Sequence, residues 1–328
     1  MVKLIDGGSS LRVQTRNTFR GDFLLKVFND IHADPDLTKR ILSLKVSEGD
    51  IIVANGDFVG SRGPIANQIV KVYYEVKRGE VSKYELEKLF SALIGVPVFI
   101  EDDLIFNSVH SGTFLAEMCR RYDKFQAIIE DETLHNLAEL DRVSKRIEEQ
   151  GGKLVYLPGN CEISFCDYDI TNGVNCEKTL PPKERLFNRL NKEGAFSNTE
   201  YVNEPKIIGE NTLLIPLDFL DEWIAKKTVI PYAEKATNLI VHYPPLNQYI
   251  AECFHMLFGY TLNAMDKLRM NAVSEIIDCL PNLKIVVFGH IHPGITKEST
   301  EKLPMSVIFR EKDCQLIWNS PGNVFAFC

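Results

Sequence analysis

The sequence contains no apolar run near the roughly 20 residues that a membrane-spanning helix needs. Its first residues also lack the continuous apolar segment of a signal peptide. Internal repeats and low-complexity tracts are absent as well, and a composition at globular averages excludes the disordered and fibrous classes. Together these absences predict a soluble, cytoplasmic protein that does not associate with a membrane.

Paired cysteines are also missing. The eight cysteines are scattered along the chain, and no C-x-x-C pair occurs among them. A structural zinc site of the four-cysteine type is built from such pairs, so the spacing disfavours it. Scattered cysteines in a long chain without a signal peptide are typical of reduced thiols in the cytoplasm.

The sequence has no excess of positive charge. Its 45 acidic residues outnumber 37 lysines and arginines, which gives a formal net charge of −8. Proteins that bind the phosphate backbone of a long nucleic acid are usually basic, so that partner is disfavoured. An acidic protein can still hold a single phosphate group through metal ions and one or two arginines.

Short apolar runs are present in a chain of globular composition. The 328 residues are 45% hydrophobic and 25% charged, enough for two domains or one large α/β domain with insertions. Five runs are rich in Val, Ile, Leu or aromatic residues and lack clean polar alternation. Such runs are typical of strands covered on both faces in layered α/β proteins. The runs are Phe23–Phe28, Ile51–Ala54, Lys153–Leu157, Asn238–Val241 and Leu283–Phe288.

Helical and hairpin patterns fill much of the remaining sequence. Apolar residues at helical spacing predict helix over Ile65–Leu93, with a break at Arg78–Glu80, and over Ser111–Gln150. A hairpin is expected around Gly209–Asn211. The C-terminal segment is expected to form a further hairpin of two or three strands, with a turn near Glu311–Asp313, that completes a second sheet.

Each of the five predicted strands is followed closely by Asp, Asn or His, usually beside glycine or proline. In open α/β sheets, ligands bind at the carboxyl ends of the strands. Carboxylate, imidazole and amide oxygen suit manganese, iron or zinc better than a metal that prefers thiolates. Two such ions about 3.5–4 Å apart can share one carboxylate and hold both the attacking and leaving oxygens of a phosphoryl group. The seven candidate ligands are Asp30, His32, Asp57, Asn160, His242, His290 and His292.

The spacing within two of these loops is two residues. On an extended segment, residues i and i+2 point to the same side, so Asp30 and His32 are expected to face one ion together. The same argument applies to His290 and His292. Taken singly, each ligand also has an ordinary explanation as a structural histidine or a turn residue. Their joint occurrence after five strands favours the metal site.

The five blocks resemble, in type and order, those of the calcineurin-like metallophosphoesterases. The resemblance spans residues 24–293 and implies a four-layer α-β-β-α sandwich of two mixed sheets. It implies a single domain over 1–328. The helical pattern over 61–150 would then be an insertion in that domain, and inserted segments of this kind commonly cap a site. The blocks are Asp30-Ile31-His32, Gly56-Asp57, Gly159-Asn160-Cys161-Glu162, His242 and Gly289-His290-Ile291-His292.

The resemblance also assigns roles to the candidate ligands. It implies two divalent ions bridged by Asp57, with a metal-bound hydroxide as the nucleophile. Manganese is favoured, and iron, zinc or a mixed pair are alternatives. One ion would be held by Asp30, His32 and His292, and the other by Asn160, His242 and His290.

The third block departs from the family pattern at Cys161. Family members usually carry a histidine there that is thought to assist as an acid, and a thiol with a pKa near about 8.5 is a poorer match. Gly60 stands where the protein phosphatase branch has the aspartate that orients this histidine. The paired loss favours substrates with good leaving groups or another proton donor. Candidate donors are His110, His135, His255 and a metal-bound water.

Arg62 lies in the segment GDFVGSRG, which is similar to a motif of the protein phosphatase branch. In that branch the arginine grips phosphate through two parallel hydrogen bonds. Here the motif is one residue longer, so Arg62 is either a phosphate ligand or a solvated loop residue. We retain Asp57, Cys161 and Arg62 as the candidate catalytic residues.

The leading hypothesis is hydrolysis of a phosphomonoester or phosphodiester, with a small molecule or nucleotide as substrate. Three alternatives stay open: a non-catalytic metal-binding scaffold on the same fold, a serine/threonine-type protein phosphatase, and a nuclease. The sequence makes no prediction of the oligomeric state.

Overall fold

The computed structural model describes residues 24–32, 34–58, 64–106, 111–160, 198–221, 224–258, 262, 264–292, 306–311, 314–321 and 323–327. The chain divides into two compact units. The first unit takes in residues 1–58, 140–160 and 196–328, and the second takes in residues 59–139 and 161–195. Within the described ranges, none of the helices combines the length and apolar character needed to span a bilayer.

The strands of the first unit form two mixed sheets. The strands are β1 (Leu25–Phe28), β2 (Ile51–Asn55), β3 (Lys153–Leu157), β4 (Glu200–Tyr201), β5 (Lys206–Ile208), β6 (Thr212–Ile215), β7 (Asn238–Val241), β8 (Ile285–Phe288), β9 (Ser306–Glu311), β10 (Cys314–Asn319) and β11 (Phe325–Phe327). The strand order is β11-β1-β2-β3-β4 in one sheet and β5-β6-β7-β8-β10-β9 in the other. β1 to β4 are mutually parallel, and so are β6, β7, β8 and β10. An antiparallel strand flanks each parallel set, so both sheets are mixed.

The two sheets share one hydrophobic core. Alternate residues of β1, β2 and β3 lie in the same buried cluster as residues of β6, β7 and β8. The residues between them, such as Ile52, Ala54 and Tyr156, are also at most 1% exposed. The prediction of strands covered on both faces is therefore confirmed. The cluster members are Leu25, Val27, Val53, Val155, Leu157, Val202, Ile208, Leu214, Ile240, Val287 and Phe327.

All five predicted strands are present, with ends that agree within two residues. The hairpin around Gly209–Asn211 is confirmed by the antiparallel pairing of β5 with β6. The C-terminal hairpin is also confirmed, since β9 pairs antiparallel with β10 at the edge of the second sheet. The last strand, β11, instead pairs with β1 in the first sheet.

The helices of the described chain are α1 (Pro35–Leu42), α2 (Pro64–Lys77), α3 (Lys83–Ile94), α4 (Asp102–Phe106), α5 (Ser111–Arg121), α6 (Asp123–Glu148), α7 (Ala225–Val229), α8 (Gln248–Phe258) and α9 (Ala264–Asp278). Short 3₁₀ helices occupy Leu217–Phe219 and Ile230–Tyr232. The predicted break at Arg78–Glu80 separates α2 from α3. The stretch Ser111–Gln150, in contrast, is two helices that meet at Tyr122.

The second unit has a hydrophobic core of its own, drawn from α2 to α6. The Tyr73 ring stacks on Phe114 with a centroid separation of 4.7 Å, and its hydroxyl donates to the carbonyl of Ile105 at 3.2 Å. Phe90 meets Phe125 edge-on at 4.8 Å. The interpretation of 61–150 as an insertion within a single domain stays a prediction.

Candidate metal centre

The candidate ligands follow the carboxyl ends of five strands, and all of them belong to the first unit. His242 comes directly after β7, while Asp30, Asp57 and His290 come two residues after β1, β2 and β8. Asn160 comes three residues after β3. Because these strands are parallel within each sheet, their carboxyl ends lie at one edge of that sheet.

Four of these residues form what we term the first ligand group: Asp30, His32, Asp57 and His292. One donor atom from each lies within 4.8 Å of the others. The Nε2 atoms of His32 and His292 are 2.8 Å apart. His32 Nε2 lies 3.8 Å from Asp57 Oδ2, and His292 Nε2 lies 3.9 Å from Asp30 Oδ1. The four donors therefore converge on one point.

We term Asp57, His242 and His290 the second ligand group, since their donor atoms also lie within 4.8 Å of one another. His242 Nε2 is 3.4 Å from Asp57 Oδ2. The side-chain oxygen of Asn160 joins this group, at 2.9 Å from His242 Nε2 and 2.7 Å from His290 Nδ1. Asp57 is thus common to both groups, and the same Oδ2 atom approaches a histidine of each.

The first carboxylate, Asp30, is held by polar contacts from two directions. Asn29 Nδ2 donates to Asp30 Oδ2 at 2.5 Å, and the backbone N–H of His290 donates to the same carboxylate at 3.2 Å. Asn29 is held in turn by the buried Asn319 at the end of β10, through two hydrogen bonds of 2.8 and 3.1 Å. Trp318 Nε1 donates to the carbonyl of Ile291 at 2.9 Å. β10 therefore supports ligands that lie far from it in sequence.

Burial and charge act differently on the histidines. Burial lowers the pKa of His32 to about 4, against the opposing pull of Asp57, so its ring is neutral near pH 7. Burial would also lower the pKa of His242, but the carboxylates of Asp57 and Asp30 outweigh it and raise the pKa to about 9. The carboxylates of Asp30 and Asp57, each at most 1% exposed, thus favour positive charge at this position.

The backbone at four candidate ligands lies in the left-handed region. The φ angles are 54° at Asp30, 51° at His32, 48° at Asp57 and 70° at His290. Within the described ranges, no other non-glycine residue has a positive φ. Such conformations cost about 1–3 kcal/mol each and concentrate at functional sites. Hydrogen bonds from Asp30 N to the Gly56 carbonyl (3.2 Å) and from His32 N to the Asp57 carbonyl (2.8 Å) hold these loops.

These angles show that the prediction of an extended backbone, with residues i and i+2 on the same side, is wrong for Asp30 and His32 and for His290. Asp30 and His32 do lie in one group, but their backbone is left-handed rather than extended, so strand alternation is not what aligns them. His290 and His292 do not face one point, because they fall in different ligand groups. The left-handed turn at His290 breaks the alternation that an extended segment would impose.

Three glycines leave space that the ligands occupy. A Cβ atom on Gly56 would overlap the ring of His242, and one on Gly159 would overlap the carboxylate of Asp57. A Cβ atom on Gly289 would overlap both Asp30 and the amide of Asn29. Any larger residue at these positions must displace a candidate ligand or its support.

Sequence reasoning missed Asp266, which lies on α9 and is 3% exposed. Its Oδ1 lies 3.3 Å from His290 Nε2, on the opposite side of the ring from Asn160. Tyr243 stacks on the His290 ring with centroids 3.8 Å apart, and Arg269 donates to the Tyr243 hydroxyl at 3.1 Å. A buried aspartate on a helix carries no distinctive sequence pattern. The one signal in the sequence is the spacing of three residues between Asp266 and Arg269, which places both on the same face of the helix.

Several residues from the sequence analysis lie outside the described part of the chain. These are Cys161 and Arg62, together with the donor candidate His110. Their roles stay predictions. His135 lies on α6 and His255 lies on α8, and both are exposed.

The donor atoms of the two groups fit divalent cations. Two imidazole nitrogens separated by about 3 Å suit one ion when each metal–nitrogen bond is about 2.0–2.1 Å long. Buried carboxylates require a compensating positive charge, and Asp30 and Asp57 are at most 1% exposed. The oxygen and imidazole donors match manganese, iron and zinc. The described chain therefore contains candidate metal-binding clusters.

Comparisons with known proteins add little to this description. No protein-family model matches the sequence, and no curated protein matches it. Among solved structures, the phosphopantetheinyl hydrolase of Mycobacterium tuberculosis matches with a TM-score of 0.38 and 12% sequence identity. That match covers 91% of this chain and 89% of the other. A similarity this low transfers no function.

Proposed function

We propose that this chain is a metallophosphoesterase of the calcineurin-like type that hydrolyses a phosphate ester at a two-ion centre. The observation that carries the proposal is the position of Asp57, whose carboxylate belongs to both ligand groups. A carboxylate shared by two convergent sets of donors is the arrangement that a pair of adjacent divalent ions requires. A single structural ion would need only one of the two groups.

In this proposal, Asp30, His32 and His292 hold one ion, Asn160, His242 and His290 hold the other, and Asp57 bridges them. When bound, the two ions would supply an activated water as nucleophile and the positive charge that stabilises the leaving oxygen. Manganese is favoured, with iron, zinc or a mixed pair as alternatives. The shared core of the two sheets supports the layered sandwich that this family would have.

Solvent reaches the two groups unequally. The side chains of His32 and His292 are each 14% exposed, whereas those of His242 and His290 are 1% and 7% exposed. The phosphate group of the substrate therefore approaches from the side of the first ligand group. Arg62 is retained as a candidate phosphate ligand, and Cys161 as a candidate catalytic residue at the position of the family's histidine.

The proposed substrate is a small phosphate ester or a nucleotide. The net charge of −8 disfavours long nucleic acid, and a small ester needs only the local positive charge of the centre. The departure at Cys161 from the family's histidine favours substrates with good leaving groups. The helical segment 61–150 is proposed as the element that selects among them.

The proposal is tested by measuring hydrolysis of bis-p-nitrophenyl phosphate and p-nitrophenyl phosphate with manganese-loaded protein. Asp57→Asn should lose both ions. The loss should raise the barrier by several kcal/mol and so lower the rate of hydrolysis about 10³-fold. Asp50→Asn is the matched control, because Asp50 is equally buried but lies before β2, at its other end.

The pattern of activity separates the alternatives. Faster hydrolysis of the diester indicates a phosphodiesterase, and faster hydrolysis of the monoester indicates a phosphatase. Full activity in Asp57→Asn contradicts the two-ion centre. Protein that holds two ions but cleaves neither ester supports the non-catalytic scaffold instead.

A further inference from the structure

We infer that Asp266 is a positioning residue that fixes the tautomer and orientation of His290 in the second ligand group. The inference rests on the ion-binding part of the proposed function and not on its hydrolytic part. Asp266 lies on α9, outside the strand-end loops that supply the candidate ligands.

The contact is buried and directional. The side chains of His290 and Asp266 are 7% and 4% exposed, and His290 Nε2 lies 3.3 Å from Asp266 Oδ1. The other ring nitrogen, Nδ1, faces Asn160 Oδ1 at 2.7 Å, inside the second ligand group. Asp266 and the centre therefore approach opposite nitrogens of one ring.

The contacts of the two ring nitrogens decide which of them carries the proton of neutral His290. A neutral histidine carries one proton, and an ionised carboxylate can only accept a hydrogen bond. The amide oxygen of Asn160 near Nδ1 is a neutral acceptor, and an ionised carboxylate is a stronger one. Asp266 therefore favours the proton on Nε2, which leaves the lone pair of Nδ1 to bind an ion. A carboxylate on the far nitrogen of a ligating histidine also raises its basicity.

The same helix restrains the plane of the ring. Tyr243 lies against His290 with a centroid separation of 3.8 Å and an interplanar angle of 29°. The Tyr243 hydroxyl accepts a hydrogen bond of 3.1 Å from Arg269, three residues after Asp266 on α9. α9 thus acts on His290 directly through Asp266 and indirectly through Arg269 and Tyr243.

His242, the other histidine of the group, is oriented by different means. Its Nδ1 lies 3.2 Å from the backbone carbonyl of Asn55, which leaves Nε2 to face Asn160 and Asp57. A backbone carbonyl cannot be removed by substitution, but the carboxylate of Asp266 can. The role of the far-side contact is therefore testable at His290.

Manganese binding to purified protein, measured by calorimetry and elemental analysis, provides the first test. Asp266→Ala should lower the affinity for one of the two ions by about 10- to 100-fold and leave the affinity for the other unchanged. Asp266→Asn keeps an acceptor oxygen and should recover most of the affinity. Asp278→Ala, an exposed aspartate on the same helix, should bind both ions as the unmodified protein does.

The second test reads the tautomer without any ion. Imidazole ¹⁵N shifts of ion-free protein should report His290 as the Nε2–H form, and Asp266→Ala should lose this preference. A His290→Gln variant assigns the resonance. Asp266→Ser replaces the alanine variant if that protein does not fold.

Three results would overturn the inference: unchanged binding of both ions in Asp266→Ala, equal weakening of both ions, or no recovery in Asp266→Asn. The proposed function fails separately. If the protein binds two ions and the tautomer responds as expected but no ester is cleaved, the positioning role stands without the hydrolase. If no ions bind at all, the ¹⁵N result alone decides the role of Asp266.

Discussion

The first ligand group lies nearer to solvent than the second, although Asp57 belongs to both. Two histidines that are each 14% exposed complete the first group. In the second group the histidine side chains are 1% and 7% exposed. The far nitrogen of each faces a fixed partner, the Asn55 carbonyl for His242 and Asp266 for His290.

The more exposed first group also carries more negative charge than the buried second group. The first group has two carboxylates, Asp30 and Asp57, while the second adds only the neutral amide of Asn160 to Asp57. In the proposed two-ion centre, charge would favour affinity at the first group, whereas burial and oriented histidines would slow the exchange of an ion at the second. Affinity and exchange rate are therefore set by different features. We expect the first group to bind an ion strongly but to exchange it faster.

Among substitutions outside the candidate ligands, Gly289→Ala is expected to have the largest effect on the first group. The added Cβ would overlap Asp30 and Asn29. Displacing them should cost about 1–3 kcal/mol of ion-binding free energy, which lowers the affinity of the first group by about 5- to 150-fold. Calorimetric titration with manganese measures the loss.

Gly79→Ala is the matched control for this variant. Gly79 has a φ of 71° and nothing within 4 Å of an added Cβ. The left-handed conformation alone costs an alanine about 1–2 kcal/mol. Gly79→Ala should therefore lower the free energy of unfolding without changing ion affinity. An equal drop in manganese affinity in both variants would contradict the inference that Gly289 is needed to leave room for Asp30 and Asn29.

A second, smaller effect is expected in the kinetics of ion release. Stopped-flow mixing of manganese-loaded protein with a chelator should show two phases, with the faster one from the first group. If ion release from the second group needs an opening step that costs about 1.4 kcal/mol more, that release is about tenfold slower and the two phases separate.

Single substitutions assign the two phases. His292→Ala should remove the fast phase, and His242→Ala should remove the slow phase. If His292→Ala removes the slow phase instead, burial does not control exchange, and the two carboxylates of the first group do.

The sequence predicts the candidate ligands better than the residues that hold those ligands in place. The candidate ligands lie within a few residues of strand ends, so a local pattern of apolar run followed by polar residue reveals them. Asp266 approaches His290 from a separate helix, 24 positions earlier in the sequence, and a contact of this kind leaves no local pattern. Asn319 is similar, since it reaches Asn29 across 290 positions of sequence.

The fold shows the same division between local and distant information. Strand positions follow from composition and hairpins from turn residues, and both predictions are confirmed. The pairing of β11 with β1 was not predicted, because Leu25 and Phe327 come from opposite ends of the chain. The left-handed backbone at Asp30 and His32 was also missed, since these residue types do not require it.

The smallest effect on the centre is expected from Asp50→Asn, which tests whether a buried charge outside both groups influences them. Asp50 accepts hydrogen bonds from Lys26 Nζ at 2.5 Å, Ser47 N at 2.9 Å and Leu24 N at 3.1 Å. Burial alone would raise the pKa of Asp50, but these contacts outweigh it and hold the pKa below its ordinary value. Removing the charge should cost about 1–3 kcal/mol of unfolding free energy at neutral pH.

The pH dependence identifies the origin of that cost. A carboxyl whose pKa is lower in the folded protein than in the unfolded chain stabilises the fold above the unfolded value of about 3.9. The contribution is lost as the pH falls through the lower, folded pKa. The difference in unfolding free energy between the unmodified protein and Asp50→Asn should therefore be full at pH 6 and shrink below pH 4. Manganese affinity at both ligand groups should not change, because Asp50 lies before β2 while Asp57 follows it. A change in affinity as large as that of Gly289→Ala would mean that general destabilisation, rather than the local space at Gly289, governs ion binding.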